Sequence, residues 1–147
     1  MPIEIEKKYR LTKKQREVVL RRLPEIGATS QGEAFEENIL YGGDALDVGR
    51  CVLRLRRIGD SAILTYKERF PSSSPIKQQR EDETRVSDPD AMKAILDALG
   101  FAPILVYEKR RITWRLGEAE IVVDKLPFGL FMEIEAHELD LVAEVVL

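Results

Sequence analysis

The stretch Glu4-Ile5-Glu6-Lys7-Lys8-Tyr9-Arg10 decides the fold. Side chains of an extended segment point alternately to opposite faces, so Glu4, Glu6, Lys8 and Arg10 share one side and Ile3, Ile5 and Tyr9 the other. One face is built to pack, the other to hold charge. The same alternation returns in Cys51-Val52-Leu53-Arg54-Leu55-Arg56, with Arg54 and Arg56 opposite Leu53 and Leu55, and in Phe131-Met132-Glu133-Ile134-Glu135, where Glu133 and Glu135 share a face. Between these lie further strands: Phe35 to Tyr41, Ala62 to Lys67, Arg80 to Val86, Leu105 to Arg115 with Lys109 and Arg111 on one parity, and Ala119 to Lys125 with Glu120, Val122 and Asp124 on one parity. Arg80 to Val86 is polar on both parities, which leaves its inward face undecided.

Two helices interrupt the strands. Thr12 with Gln15 reads as a capping box ahead of Val18, Val19, Leu20 and Leu23, with Pro24 closing the helix. This helix covers the Ile3/Ile5/Tyr9 face. The second starts at Asp88-Pro89, carries Met92, Ile95, Leu96 and Leu99 at helical spacing, and stops at Gly100. Gly59-Asp60 reads as a hairpin turn, and Pro71-Ser72-Ser73-Ser74-Pro75 as a flexible loop with the composition of a lid or a disordered segment. Trp114 and Tyr66 fall on the apolar parity and read as core; His137, the only histidine, reads as a strand end. The order is α+β or barrel-like, about seven or eight strands in antiparallel order with two helices inserted and no βαβ rhythm, in one unit spanning residues 1–147.

Composition narrows the chemistry. Twenty-three Lys+Arg against 26 Asp+Glu leave a formal charge of −3, so no global field draws in nucleic acid. One cysteine, Cys51, rules out an internal disulfide and a cysteine-built zinc site. Neither a secretory leader nor an apolar run of membrane-spanning length stands out, so the expected setting is cytoplasmic, with no membrane partner. No glycine loop of the nucleotide-binding kind is present, so phosphate would be held by side chains.

Acidic pairs and basic pairs sit on separate strands, and same-sign charges two residues apart repel unless a counter-ion or ligand compensates. Carboxylates call for a divalent cation and the cations for a polyanion. A triphosphate with Mg²⁺ or Mn²⁺ meets both demands, since hard cations take oxygen ligands and arginine forks match phosphate oxygens. On alternation alone the alternative is an ordinary half-exposed sheet with its charges in water.

In order along the chain, Glu4-x-Glu6-x-Lys8, Asn38 with Tyr41, Leu53-Arg54-Leu55-Arg56, Thr65-Tyr66-Lys67, Arg80-Glu81-x-Glu83, Lys109-x-Arg111, Asp124 and Phe131-x-Glu133-Ile134-Glu135 resemble the motifs of the CYTH domain, or triphosphate tunnel metalloenzymes. That family includes thiamine triphosphatases, inorganic triphosphatases and class IV adenylyl cyclases. The resemblance implies an eight-stranded antiparallel β-barrel tunnel with flanking helices, whose lumen binds a triphosphate with Mg²⁺ or Mn²⁺. By position it implies metal-side carboxylates at Glu4, Glu6, Asp124, Glu133 and Glu135, and a phosphate clamp of Lys8, Arg54, Arg56, Lys67, Lys109 and Arg111. In hydrolytic members the lysine matching Lys67 is implicated in activating water, with a tyrosine two positions beyond the polar residue of the second strand. Here Leu40 holds that position, Tyr41 has the opposite parity, and Gly42 replaces the family's acid. The expected activity is metal-dependent hydrolysis of inorganic triphosphate or a small organic triphosphate. The alternatives are conversion of ATP to cyclic AMP and pyrophosphate, and a non-catalytic polyphosphate-binding module. The sequence leaves open a homodimer and whether the apolar tail Leu139 to Leu147 would join it.

Overall fold

A computed structural model describes residues 3–136. Eight strands, β1 (Ile3–Leu11), β2 (Thr29–Gly42), β3 (Cys51–Ile58), β4 (Ser61–Arg69), β5 (Lys77–Val86), β6 (Ala102–Leu116), β7 (Ala119–Leu126) and β8 (Gly129–Ala136), close into a barrel in the order β1-β5-β4-β3-β2-β6-β7-β8. Every ladder is antiparallel, and β1 closes the ring by pairing with both β5 and β8. Eight strands leave room inside for side chains and one small ligand. Gly59, at φ +58°, makes the β3–β4 hairpin turn the sequence calls for.

Two helices, α1 (Lys13–Glu25) and α2 (Pro89–Ala98), lie on the outside. Thr12 and Gln15 form both bonds of the capping box, and α1 runs one residue past Pro24 rather than ending at it. The Asp88 carboxylate accepts from the Ala91 amide at 3.0 Å and starts α2.

Most buried apolar residues collect on the outer face of the barrel under these helices. Leu23, with Val19 and Leu20 beside it, packs on Ile5, Ile121, Val123 and Ile134, with Tyr9, Trp114 and Met132 around them. Leu96 and Met92 do the same over Tyr41, Leu53, Leu55 and Ala62. Each fully buried aliphatic side chain stabilises the fold by roughly 1.5–3 kcal/mol. Val18, Ile95 and Leu99, which the helical spacing assigns to the covered sides, are instead substantially exposed.

Several expectations are corrected. The second strand begins at Thr29, not Phe35, and the sixth at Ala102, because β2 and β6 pair over almost their whole length. Tyr66 belongs to neither apolar cluster: it lies half-buried, its hydroxyl 3.3 Å from both Cys51 Sγ and Glu68 Oε2, with Arg80 over its ring. Trp114 does pack against the first cluster. His137 and the tail Leu139 to Leu147 lie outside the described residues. Among the described residues no helix is long and apolar enough to cross a membrane.

Candidate functional site

Closure turns the charged parity inward. A cavity of about 490 Å³ runs through the barrel, lined by eight Lys/Arg side chains and nine Asp/Glu side chains. Every position the sequence singled out lines it: Glu4, Glu6 and Lys8 from β1, Arg54 and Arg56 from β3, Lys67 from β4, Lys109 and Arg111 from β6, Asp124 from β7, Glu133 and Glu135 from β8. The undecided strand β5 is settled, with Lys77, Gln79, Glu81 and Glu83 inside and Arg80 paired to Asp82 at 2.6 Å outside.

The charges are graded along the tunnel. Strand directions place Glu83 and Glu120 at one mouth, with Glu4, Glu81 and Glu135 just inside it. Toward the other mouth stand Lys8, Arg69 and Lys77, with Leu40, Val52 and Leu126 between them. Carboxylate oxygens of Glu4, Glu6 and Glu135 lie within 4.8 Å of one another. An all-oxygen donor set of this kind suits Mg²⁺ or Mn²⁺ and not a soft metal.

Burial and mutual repulsion oppose joint ionisation of these carboxylates. Burial raises Glu135 well above the usual carboxylate range, and the charge of Glu4 adds to it. Burial, with Glu133 next, also raises Glu6. Burial and a hydrogen bond shared with Glu4 push Glu81 up to about 8. Burial opposes ionisation of Glu4 as well, but the bond with Glu81 and the Lys67 charge outweigh it and hold Glu4 at about 2. Gln79 contributes too, donating from Nε2 to Glu4 Oε2 at 2.8 Å.

The cations occupy the middle. Arg111 makes a bidentate bond to Asp124, 2.8 Å to each oxygen, while Lys109 reaches the same carboxylate at 3.4 Å and Glu36 at 3.7 Å. Arg56 donates from Nε to Asn38 Oδ1 at 2.8 Å and lies 2.9 Å from Glu36. Burial, reinforced by the neighbouring Arg111, lowers Lys109 to about 8, and burial beside Arg54 lowers Arg56 to about 10. Burial works against the Lys67 ammonium too, yet Glu4 outweighs it and the pKa is raised. Arg54 has no ion pair with any described residue, and its Nε, Arg56 Nη2, Asn38 Nδ2 and Gln79 Oε1 are buried without hydrogen-bond partners. Unpaired buried polar groups are costly, and these donors and acceptors are open to a polar ligand.

The sequence-predicted residues divide into two groups. Glu4, Glu6 and Glu135 converge; Asp124 faces Arg111 and Lys109, and Glu133 lies 3.6 Å from both Lys8 and Arg111. Glu36, Asn38, Gln79, Glu81 and Tyr107 also face or adjoin this space. Leu40 lines the lumen while Tyr41 is buried in the outer cluster, as their parities require.

A closed barrel lined mostly by charged side chains, with its two apolar clusters on the outer face, is a tunnel with a charged lumen. The CYTH domain profile matches residues 2–145, and the chain belongs to the CYTH domain family. It is 28% identical over 137 residues to a Methanocaldococcus jannaschii protein named as a candidate adenylate cyclase, covering 90% of this chain and 76% of that one. The PH1012 protein of Pyrococcus horikoshii superposes with a TM-score of 0.84 at 24% identity, over 97% of this chain and 87% of that one. A candidate adenylyl cyclase from Hippeastrum, described as having a dominant triphosphatase activity, superposes with a TM-score of 0.71 at 18% identity, over 99% and 84%.

Proposed function

We propose that this protein is a divalent-metal-dependent phosphohydrolase that takes inorganic triphosphate or a small organic triphosphate, thiamine or nucleoside triphosphate, into its tunnel. The observation that carries this reading is the placement, in one cavity, of the oxygen trio Glu4, Glu6 and Glu135 against the cations Arg54, Arg56, Lys67, Lys109 and Arg111. Bound there, Mg²⁺ or Mn²⁺ would neutralise phosphate charge and orient the phosphoryl group, which is most of what phosphoryl transfer requires.

The chain's own groups do the rest. Arg54 and Arg56 supply buried N–H groups that lack partners, suited to phosphate oxygens. Lys67, kept protonated by Glu4, serves as a donor to a phosphoryl oxygen or to the attacking water and not as a proton acceptor. Asp124 and Asn38 fix the directions of Arg111 and Arg56. Purified protein incubated with tripolyphosphate, thiamine triphosphate and ATP, with Mg²⁺ and then Mn²⁺, is expected to release inorganic phosphate. Absence of phosphate release from all three, with Glu4→Gln indistinguishable from wild type, sinks hydrolysis.

One observation favours a second reading, class IV adenylyl cyclase. Leu40 takes a lumen position where hydrolytic members carry a tyrosine, and cyclisation needs no activated water. Product analysis with ATP separates the two: cyclic AMP and pyrophosphate for the cyclase, ADP and phosphate for the hydrolase.

A further inference from the structure

The turn joining β7 to β8 places an aromatic ring at the cationic mouth of the tunnel. Phe128 is 54% exposed, yet its ring is seated edge-on against two others. Tyr107 lies 6.3 Å away at 67° and Phe131 6.0 Å away at 65°. Tyr107 lines the same cavity as the cation cluster, and Phe131 shares the inward face of β8 with Glu133.

The turn is braced as well. Arg10 Nη2 donates to the Phe128 carbonyl at 3.4 Å, and the Arg10 guanidinium and Lys8 ammonium sit 5.8 and 4.8 Å from the Phe131 ring centre. Gly129, at φ +156°, lets the chain run close over that ring, where a Cβ would come within 3.1 Å of it. A large apolar ring held in place and left more than half in water at the entrance to a polyanion-binding channel is suited to a flat partner.

We infer that Phe128 stacks on the aromatic base of an organic triphosphate whose phosphates lie in the lumen, so that this rim selects nucleoside triphosphates over inorganic triphosphate. The inference rests on the triphosphate reading and adds a specificity determinant to it. Lys8 and Arg10 stand beside the aromatic group, where they attract the phosphate end of an incoming ligand while the base remains at the mouth. Base–aromatic stacking is tolerant of base identity, so the rim distinguishes ring from no ring more than one base from another.

The test is equilibrium binding, in Mg²⁺, of a β,γ-imido ATP analogue and of diimidotriphosphate, both resistant to turnover, to wild-type, Phe128→Ala and Phe128→Trp proteins. Phe128→Ala is expected to weaken the ATP analogue by about tenfold, toward the lower part of the range for losing a stacking ring. It should leave diimidotriphosphate within about twofold, and Phe128→Trp should retain the wild-type preference. Equal weakening of both ligands, or no change in either, overturns the ring site. If the wild-type protein binds the two ligands equally well, the ring site falls and the clamp stands; if it binds neither, both readings fall.

Discussion

Lys67 Nζ lies 3.1 Å from Glu4 Oε2 although β4 and β1 are not neighbours and β5 runs between them. The contact therefore passes over the inner face of β5 and joins the acidic trio to the cation cluster. Glu4→Gln removes a carboxylate from the trio and the counter-charge from Lys67 at once. Metal-dependent phosphate release should fall by more than the roughly 10–100-fold typical of losing a supporting group, with the fold retained by circular dichroism. Unchanged turnover would place the metal elsewhere.

Gln79 holds Glu4 without touching the proposed cation. Its amide is 99% buried, and it donates to the same Glu4 oxygen that faces Lys67. Gln79→Leu is expected to lower Mn²⁺ affinity by about 10–100-fold, read from free Mn²⁺ by electron paramagnetic resonance. Wild-type affinity in this variant would show that Glu4 needs no such support.

Arg54 and Arg56 differ in a way that separates binding from stability. Arg56 is paired through Nε with Asn38 and Glu36 while its Nη2 lacks a partner, whereas Arg54 has no ion pair among the described residues. Arg54→Met should weaken triphosphate binding by roughly 10–100-fold, the worth of a charge-assisted hydrogen bond. Urea unfolding of the same variant should show stability equal to wild type or higher, since a half-buried charge with an unpaired Nε is removed. Arg56→Met should lower both, because Glu36 is left buried without its partner.

The pH dependence follows from Lys109. Burial and Arg111 lower its pKa to about 8, so in the ligand-free protein it is charged below that pH and neutral above it. A phosphate binds the charged form, so affinity is retained below pH 8 and falls as the pH rises through it, by at most roughly tenfold per pH unit for one proton. In Lys109→Arg the charge persists, and the decline between pH 8 and 10 should flatten. An identical decline in that variant would assign the proton to another group.

Stability resides elsewhere. Ile121 is 1% exposed in the cluster under α1, and Ile121→Ala should cost about 2–5 kcal/mol in urea unfolding. A loss below 1 kcal/mol would contradict the packing described.

The sequence made the barrel legible because β1, β3 and β8 carry charge on one parity and apolar residues on the other. Strand β5 hid its orientation because Arg80 and Asp82, which face outward, satisfy each other and are as polar as Glu81 and Glu83 inside. Tyr66 misled for the opposite reason: an aromatic on the outer face can end in a hydrogen bond to Cys51 and stay half in water. Glu36 and Gln79 carried a signal that alternation could have found, since they share parity with Asn38 on β2 and Glu81 on β5. Asp124 opposite Arg111 also follows from spacing, since the tight turn at Gly117 sets the β6–β7 register; what no spacing reveals is that Phe128 meets Tyr107 at the rim, because that contact depends on how the turn after β7 folds back.

The apolar clusters lie on the exterior of the barrel wall beneath two helices, and the reactive groups on its interior. A single thickness of backbone thus partitions the work: what keeps the chain folded and what it does to a ligand are assigned to opposite sides of one sheet. Inward substitutions that leave no buried partner stranded, as at Arg54, can redirect the chemistry while the scaffold beneath the helices stays intact, so one wall can be refitted for new reactions without being redesigned.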